Sequence, residues 1–99
     1  MIRHIVSWKL KAEDAAGKDA AFAAMAEAFG PLPHEIPSLK SLHLGRDLSE
    51  TPGNWDVVLI TEHATTADLA DYQGHPAHQP VKAVIGSLYS ERAAVDFEF

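Results

Sequence analysis

The sequence predicts an α+β fold, because stretches that alternate between apolar and polar residues enclose stretches with the spacing of a helix. Residues 2–11 place an apolar side chain or a histidine at every second position, as in a half-buried strand. Residues 14–29 are rich in alanine and repeat their large apolar side chains every three to four positions. Residues 55–63 form the strongest strand pattern of the chain. A sheet covered by helices accommodates all of these patterns.

Turn-forming residues separate these segments. Gly30 and Pro31 end the predicted helix, and two further prolines predict an irregular stretch after it. Residues 38–46 then predict a second strand, and residues 47–54 contain enough turn-forming residues for a loop.

A second helical region follows the strand at residues 55–63. Thr65, with Asp68 three residues later, has the spacing of a capping box and predicts a short helix that ends at Gly74. A further helix is expected to begin near Pro76 or Pro80, because proline is tolerated in a first helical turn. The apolar positions of this helix are Val81, Val84, Ile85 and Leu88.

Residues 92–99 alternate again and predict a fourth strand. The resulting βαββαβ order is that of a ferredoxin-like subunit with a four-stranded antiparallel sheet. In the third strand, Val57 and Leu59 face one side while Val58 and Ile60 face the other, so both sheet faces need apolar cover. Because the helices cover only one face, we expect a homodimer that joins the open faces of two sheets.

Composition limits the classes of function. A chain of 99 residues suffices for one domain, which we expect to span residues 1–99. The formal net charge of −6 disfavours phosphate backbones and anionic lipid, so we expect neither nucleic acid nor a membrane as a partner. No apolar run approaches the roughly 20 residues of a membrane span, and no signal peptide is visible. The absence of cysteine excludes disulfides and thiol catalysis and predicts a cytoplasmic protein.

The chemistry-bearing side chains concentrate in residues 72–81, which contain Tyr72, His75 and His78. An imidazole exchanges protons at neutral pH, and a phenol can donate a hydrogen bond to a carbonyl or enolate oxygen. Tyr72 and His78 are therefore the candidate catalytic pair. Because His75 precedes a proline, we expect its side chain to brace the turn. The alternative is that all three residues are structural residues of helix ends.

The other four histidines fall into two groups. His4 and His63 lie in line with the apolar positions of their strands, so each lines a cavity or is a hydrogen-bonded histidine of the core. His34 and His43 are expected to be solvated or to cap an element.

Cofactor and metal motifs are absent. His75 and His78 would reach one metal only from a regular helix, and Pro76 between them argues against such a helix, so we expect no metal site. The glycines form neither a dinucleotide-binding nor a P-loop fingerprint, so we expect no cofactor.

Four segments together resemble a known family, the stress-responsive dimeric α/β-barrel (Dabb) proteins. The resemblance covers essentially the whole chain and implies a ferredoxin-like subunit that forms a dimeric α/β barrel through its sheets. The segments are the opening IRHIVSWKLK, the strand NWDVVLITEH, the motif HPAHQPV that follows Tyr72, and the ending VDFEF.

The resemblance also implies residue roles. In a plant member of the family, a cofactor-free polyketide cyclase, the catalytic histidine and tyrosine correspond to His78 and Tyr72, and a cavity histidine corresponds to His4. His78 would remove a proton next to a carbonyl while Tyr72 holds the carbonyl oxygen. A second cavity histidine of that enzyme is replaced by Val57, which leaves the substrate open. The candidate substrate-binding residues are His4, Trp8, Phe22, Met25, Leu59 and His63.

Three classes of function stay open at this point. The first is a cofactor-independent enzyme that uses acid–base catalysis on a small hydrophobic, polyketide-like carbonyl compound. The second is a non-catalytic stress-response protein that binds a small ligand in the same cavity. The third is related dimeric-barrel chemistry, such as cofactor-free, monooxygenase-like oxygenation or haem handling. An enzyme of the first class needs Tyr72 and His78 to converge on open space, whereas a binding protein needs only the space.

Overall fold

The computed structural model describes residues 1–99 and contains one four-stranded antiparallel sheet with helices against one face. The strands follow the order β2-β3-β1-β4 across the sheet, so the predicted ferredoxin-like arrangement is confirmed. No helix is long and apolar enough to cross a membrane. The strands are β1 (Ile2–Leu10), β2 (Ser41–Arg46), β3 (Val57–His63) and β4 (Tyr89–Glu98), and the helices are α1 (Ala15–Phe29), α2 (Leu32–Glu35), α3 (Thr66–Gly74) and α4 (Gln79–Gly86), with a 3₁₀ turn at Pro76–His78 before α4.

The stretch after α1 was predicted to be irregular, and that prediction is wrong, because it contains the short helix α2. Pro31 is the N-cap of α2 and Pro33 lies in its first turn, where a missing N–H removes no helical hydrogen bond. Leu32 and Ile36 are almost completely buried, so core contacts hold the segment in place.

Two strand boundaries also differ from the predicted ones. β2 begins at Ser41 rather than at residue 38, because Ser38 uses its carbonyl oxygen and its hydroxyl in hydrogen bonds to His63 and Asp71. β4 begins at Tyr89 rather than at residue 92, because its pairing with β1 extends through a register shift at Leu10.

The core lies between the helices and one face of the sheet. Along β1 and β3, every second residue is buried on this face, as the alternation in the sequence predicts. Helix α1 buries Ala21, Met25 and Phe29 against it. Burial of a large apolar side chain such as Met25 contributes roughly 1.5–3 kcal/mol to folding.

The opposite face of the sheet carries no helix. Ile5, Val58 and Ile60 are only half-buried on this open face. Val95 and Phe97, which pair with β1 on the same face, are 63% and 39% exposed. The chain alone therefore leaves these apolar side chains in contact with solvent, beside the ion pairs Arg3–Glu62 and Lys9–Glu91 on the same face.

A buried carboxylate ties the end of β1 to α1. Asp56 accepts hydrogen bonds from the backbone N–H of Leu10 at 2.9 Å and from Lys18 Nζ at 2.7 Å. Burial raises the pKa of Asp56, but these two donors outweigh burial, and the net pKa is below the ordinary value.

Candidate active site

A cavity of about 520 Å³ lies between the helix-covered face of the sheet and the segment from α3 to α4. This volume is in the range of small-molecule sites. Its apolar wall consists of Val6, Trp8, Phe29, Leu59, Val81 and Ile85. Its remaining lining residues are His4, Tyr72, Gln73, His78, Lys82, Tyr89 and Arg92.

Local sequence signals bring Tyr72 and His78 to the same side of the cavity. Helix α3 begins where the Thr65 hydroxyl accepts the backbone N–H of Asp68, and it places Tyr72 in its last turn. The chain then turns at His75, whose Nδ1 accepts the backbone N–H of Ala77 at 3.1 Å and starts the 3₁₀ turn. The turn ends at His78, and the rings of Tyr72 and His78 stack with centroids 4.6 Å apart.

Three buried polar groups on the cavity lining have no hydrogen-bond partner: Tyr72 Oη, His78 Nδ1 and Trp8 Nε1. Buried polar groups are paired in the great majority of cases, because leaving one unpaired costs about 1–3 kcal/mol. All three residues are at least nine-tenths buried. Their common position gives the cavity polar groups that no other part of the chain satisfies.

The environment of His78 keeps its imidazole neutral. Burial, followed by the charges of Lys82 and His4, lowers the pKa of His78 to about 4. The ring makes no hydrogen bond within the chain, so it is available to accept a proton from a bound molecule.

The environment of Tyr72 keeps its phenol protonated. Burial raises the pKa of Tyr72 above its ordinary value, because a phenolate would be poorly solvated there. At neutral pH, Tyr72 is therefore a hydrogen-bond donor, next to an imidazole that can act as an acceptor.

His4 is held by a carboxylate that the sequence did not point to. Its Nδ1 is hydrogen-bonded to Asp96 Oδ1, on the neighbouring strand β4. Because a carboxylate only accepts, Nδ1 of His4 carries the hydrogen. His4 is buried and lines the cavity, so Asp96 fixes both the tautomer and the orientation of this imidazole.

His63 is a fully hydrogen-bonded histidine of the core. Its Nδ1–H donates to the carbonyl oxygen of Ser38, and its Nε2 accepts from the Thr61 hydroxyl, each at 2.9 Å. Burial lowers the pKa of His63. The centroid of its ring lies 5.0 Å from that of the Tyr72 ring, so His63 packs against Tyr72 without lining the cavity.

The structure brings together some of the sequence-predicted residues. His4, Trp8, Leu59, Tyr72 and His78 line one cavity. Phe22, Met25 and His63 do not line it. Met25 is completely buried and Phe22 packs against the core, while His63 lies behind Tyr72.

Several lining residues were missed from the sequence. Phe29 lies at the end of the predicted helix of residues 14–29, where an apolar side chain is expected to pack in the core, and Lys82 and Gln73 resemble ordinary surface residues. Arg92 and Asp96 reach the site because β4 pairs with β1. Only the register of this pair shows that Arg92 lies opposite Trp8 and Asp96 opposite His4. Only one feature of the sequence could have indicated that Gln73 and Lys82 line the cavity: they are the immediate neighbours of Tyr72 and Val81.

The other histidines are outside the cavity. His75 caps the 3₁₀ turn, as its position before a proline predicts. His34 lies in α2 rather than in a loop, and both His34 and His43 are exposed. No three His, Asp or Glu side chains cluster in a way that could hold a metal ion.

Residues 2–99 match the sequence profile of the Stress responsive A/B Barrel Domain, Dabb. The chain belongs to this family. The match covers the whole of the fold, from β1 to β4. The resemblance to this family that the sequence motifs indicate has the same extent. No protein among those with curated descriptions matches this Dabb chain.

Solved structures with the same fold include two relatives described as dimeric. A dimeric ferredoxin-like protein of unknown function from Bacteroides fragilis is 28% identical, with a TM-score of 0.86 over 99% of this Dabb chain and 95% of that chain. A dimeric ferredoxin-like protein of unknown function from Thermobifida fusca is also 28% identical, with a TM-score of 0.80 over 99% of this chain and 90% of that chain.

A hydroxynitrile lyase from Passiflora edulis is a more distant neighbour. It is 17% identical, with a TM-score of 0.75 over 97% of this Dabb chain and 90% of that chain. At this identity, the similarity shows the shared fold alone.

Proposed function

We propose that this chain is a cofactor-independent enzyme that removes a proton next to the carbonyl group of a small hydrophobic, polyketide-like compound. One observation carries the proposal. The rings of Tyr72 and His78 stack with centroids 4.6 Å apart on the lining of one cavity, and Tyr72 Oη and His78 Nδ1 are each buried without a hydrogen-bond partner. A donor and a proton acceptor kept unpaired side by side suit enolisation.

The proposed reaction divides the work between the two side chains. The carbonyl oxygen of the substrate accepts a hydrogen bond from the Tyr72 hydroxyl. The neutral His78 takes the proton from the adjacent carbon, and the electrons of the C–H bond form the enolate, whose oxygen Tyr72 holds. The proton then returns to carbon, or the enolate carbon attacks a second carbonyl group of the same molecule to close a ring, and the alkoxide that forms takes the proton back from His78.

The low pKa of His78 is compatible with this role. Burial disfavours the lone imidazolium, so the base is unprotonated and ready at neutral pH. In the reaction, the imidazolium forms beside a new enolate, and the opposite charge of the enolate offsets the cost of desolvation. A positioned base of this kind contributes about 10²- to 10⁴-fold to a rate.

We propose that His4 orients the polar end of the substrate. Asp96 orients the ring of His4 through Nδ1, which leaves the other ring nitrogen free to form a hydrogen bond with a polar group of the substrate. The apolar wall formed by residues such as Trp8 and Leu59 would bind the hydrocarbon part.

We further propose that the working form is a homodimer joined through the open face of the sheet. Val95 and Phe97 support this arrangement, because the single chain leaves them exposed on a face that no helix covers. The descriptions of the Bacteroides fragilis and Thermobifida fusca relatives as dimeric also support it.

Proton exchange with solvent tests the proposed chemistry without knowledge of the natural substrate. Methyl 4-acetylbenzoate is a small apolar methyl ketone, and its acetyl proton signal disappears in D₂O when the enol forms. We expect the protein to accelerate this loss, measured by proton NMR. Tyr72→Phe and His78→Gln should each reduce the acceleration at least tenfold. His34→Gln removes an exposed histidine outside the cavity and should leave it unchanged.

Two results would decide against the enzyme. If the ketone binds but exchanges at the buffer rate, the cavity belongs to a non-catalytic binding protein. If exchange is accelerated equally by the wild type, Tyr72→Phe and His78→Gln, the catalytic assignment is wrong. Circular dichroism of each variant shows whether the fold is retained.

A further inference from the structure

The polar lining of the cavity contains two cations, Lys82 and Arg92, together with uncharged donors and imidazole rings, and no carboxylate is among the lining residues. This contrasts with the composition of the chain, which has 14 acidic and 8 basic residues. The two cations, Lys82 and Arg92, are exposed, whereas Tyr72 and Trp8 are buried. The positive charges therefore lie at the solvent end of the cavity, and the neutral donors lie inside.

Arg92 is the most informative of these residues. It lies on β4 opposite Trp8, on the face of the sheet that forms the cavity. The chain has three arginines, of which Arg3 pairs with Glu62 and Arg46 pairs with Asp19, but Arg92 makes no hydrogen bond or ion pair. A guanidinium group without a partner at the mouth of a cavity suits a carboxylate, because its planar donors match the two carboxylate oxygens.

Neighbouring acidic residues do not neutralise Arg92. Asp96, on the same face of β4, is engaged by His4. Glu91 is on the opposite face and pairs with Lys9. Neither carboxylate binds Arg92, so its guanidinium donors are free to bind a ligand.

Lys82 adds a second positive charge from helix α4. Its Nζ donates to the carbonyl oxygen of Gln73 at 2.6 Å, which ties α4 to the end of α3 and leaves two N–H donors free. The positive charge of Lys82 also disfavours a second positive charge on His78, so it contributes to the lowered pKa of His78. Lys82 therefore places a second positive charge on the cavity lining, in addition to that of Arg92.

We infer that the ligand of this cavity carries a carboxylate group, which Arg92 and Lys82 bind at the solvent end while the carbonyl group lies beside Tyr72 and His78. The inference rests on the proposed function for the position of the carbonyl group. It narrows the substrate class to oxo acids, in which an anionic end and an enolisable ketone are separated by an apolar spacer.

A matched pair of ligands tests the inference. 4-Acetylbenzoate and methyl 4-acetylbenzoate have the same ring and the same methyl ketone, and they differ mainly in the charge at one end. We expect the carboxylate to bind at least fivefold more tightly than the ester in an NMR titration at low salt, and the preference to shrink as salt is added. Arg92→Gln and Lys82→Gln should each reduce this preference about two- to threefold, and the double variant should abolish it.

Lys40→Gln is the control, because it removes the same charge from an exposed residue outside the cavity and should keep the full preference. Equal or tighter binding of the ester would overturn the inference, as would a preference that survives in the Arg92→Gln, Lys82→Gln double variant. Binding of neither compound at millimolar concentration would also overturn it.

The failure of this inference can be distinguished from the failure of the proposed function. If the carboxylate binds selectively but its acetyl protons do not exchange, the inference stands and the proposed catalysis fails. If both compounds exchange rapidly but the ester binds as well as the acid, the catalysis stands and the inference fails.

Discussion

Tyr72 and Thr61 are both buried hydroxyl residues, but only the hydroxyl of Thr61 has a hydrogen-bond partner. Tyr72→Phe removes an unpaired polar atom, so we expect the free energy of unfolding to stay the same or to rise by up to about 1 kcal/mol. Thr61→Val removes the donor to His63 Nε2, so we expect a loss of about 1–2 kcal/mol. Urea unfolding of both variants measures the contrast. A larger loss in Tyr72→Phe than in Thr61→Val would show that the Tyr72 hydroxyl is a structural group.

The stability of the protein should depend on pH through His78. The pKa of His78 is about 4 in the folded chain, whereas its ordinary value of 6.5 applies in the unfolded chain. As the pH falls, the unfolded chain therefore takes up this proton before the folded chain does. The free energy of unfolding therefore falls as the pH falls from about 6.5 to about 4, by about 3 kcal/mol for this group. His63 contributes in the same direction, because burial lowers its pKa as well.

The variant His78→Gln isolates this contribution. Between pH 7.5 and pH 4, we expect its free energy of unfolding to fall by about 3 kcal/mol less than that of the wild type, while the other groups titrate alike in both. Denaturant unfolding across this range measures the difference. Parallel curves for the two proteins would mean that His78 is not held neutral by burial.

At the scale of secondary-structure elements, the 3₁₀ turn positions His78 beside Tyr72 in the proposed catalytic pair. The Nδ1 of His75 accepts the backbone N–H of Ala77 and fixes the start of the turn that ends at His78. His75→Ala should lower the free energy of unfolding by about 1 kcal/mol and reduce proton exchange. Asparagine can place an oxygen where Nδ1 lies, so His75→Asn should retain most of both. If alanine and asparagine behave alike, the cap does not position His78.

The elements differ in how far the sequence predicts them. The strands β1 and β3 follow directly from alternation, because one face of each is buried against helices. Helix α2 could not be predicted from local signals, since its prolines indicate a turn and only the burial of Leu32 and Ile36 in the core stabilises it.

The candidate site also has parts that local sequence patterns predict and parts that depend on tertiary contacts. Tyr72, His75 and His78 are close in sequence, so their proximity was predictable, as was the capping role of His75. The pairing of His4 with Asp96 and the position of Arg92 beside Trp8 depend on the register between the first and last strands. Residues so far apart in the chain meet only through the sheet, and no local pattern indicates it.

At the scale of the whole molecule, the open sheet face predicts a homodimer. Val95 lies on that face opposite Ile5, and a carboxylate there would be buried without a partner in the dimer. We expect Val95→Asp to raise the dissociation constant of the dimer at least tenfold, while the wild type at micromolar concentration has twice the 10.7 kDa mass of the chain. Light scattering over a dilution series measures both.

Ala94→Asp is the matched control, because the neighbouring residue on β4 lies on the other face of the sheet, opposite Val6. It should leave the dimer intact. A wild-type mass of 10.7 kDa, or equal dissociation of both variants, would show that the open face is not the interface.

The proposed function requires that a carbonyl compound binds in the cavity, beside the unpaired polar groups of Tyr72 and His78. A crystal structure of the wild-type protein with 4-acetylbenzoate shows directly whether it does. We expect the ketone oxygen within about 2.6–3.2 Å of Tyr72 Oη and the methyl carbon next to the His78 ring. A ligand bound outside the cavity, or a cavity in which Tyr72 and His78 are hydrogen-bonded to other protein groups, would contradict the proposed function.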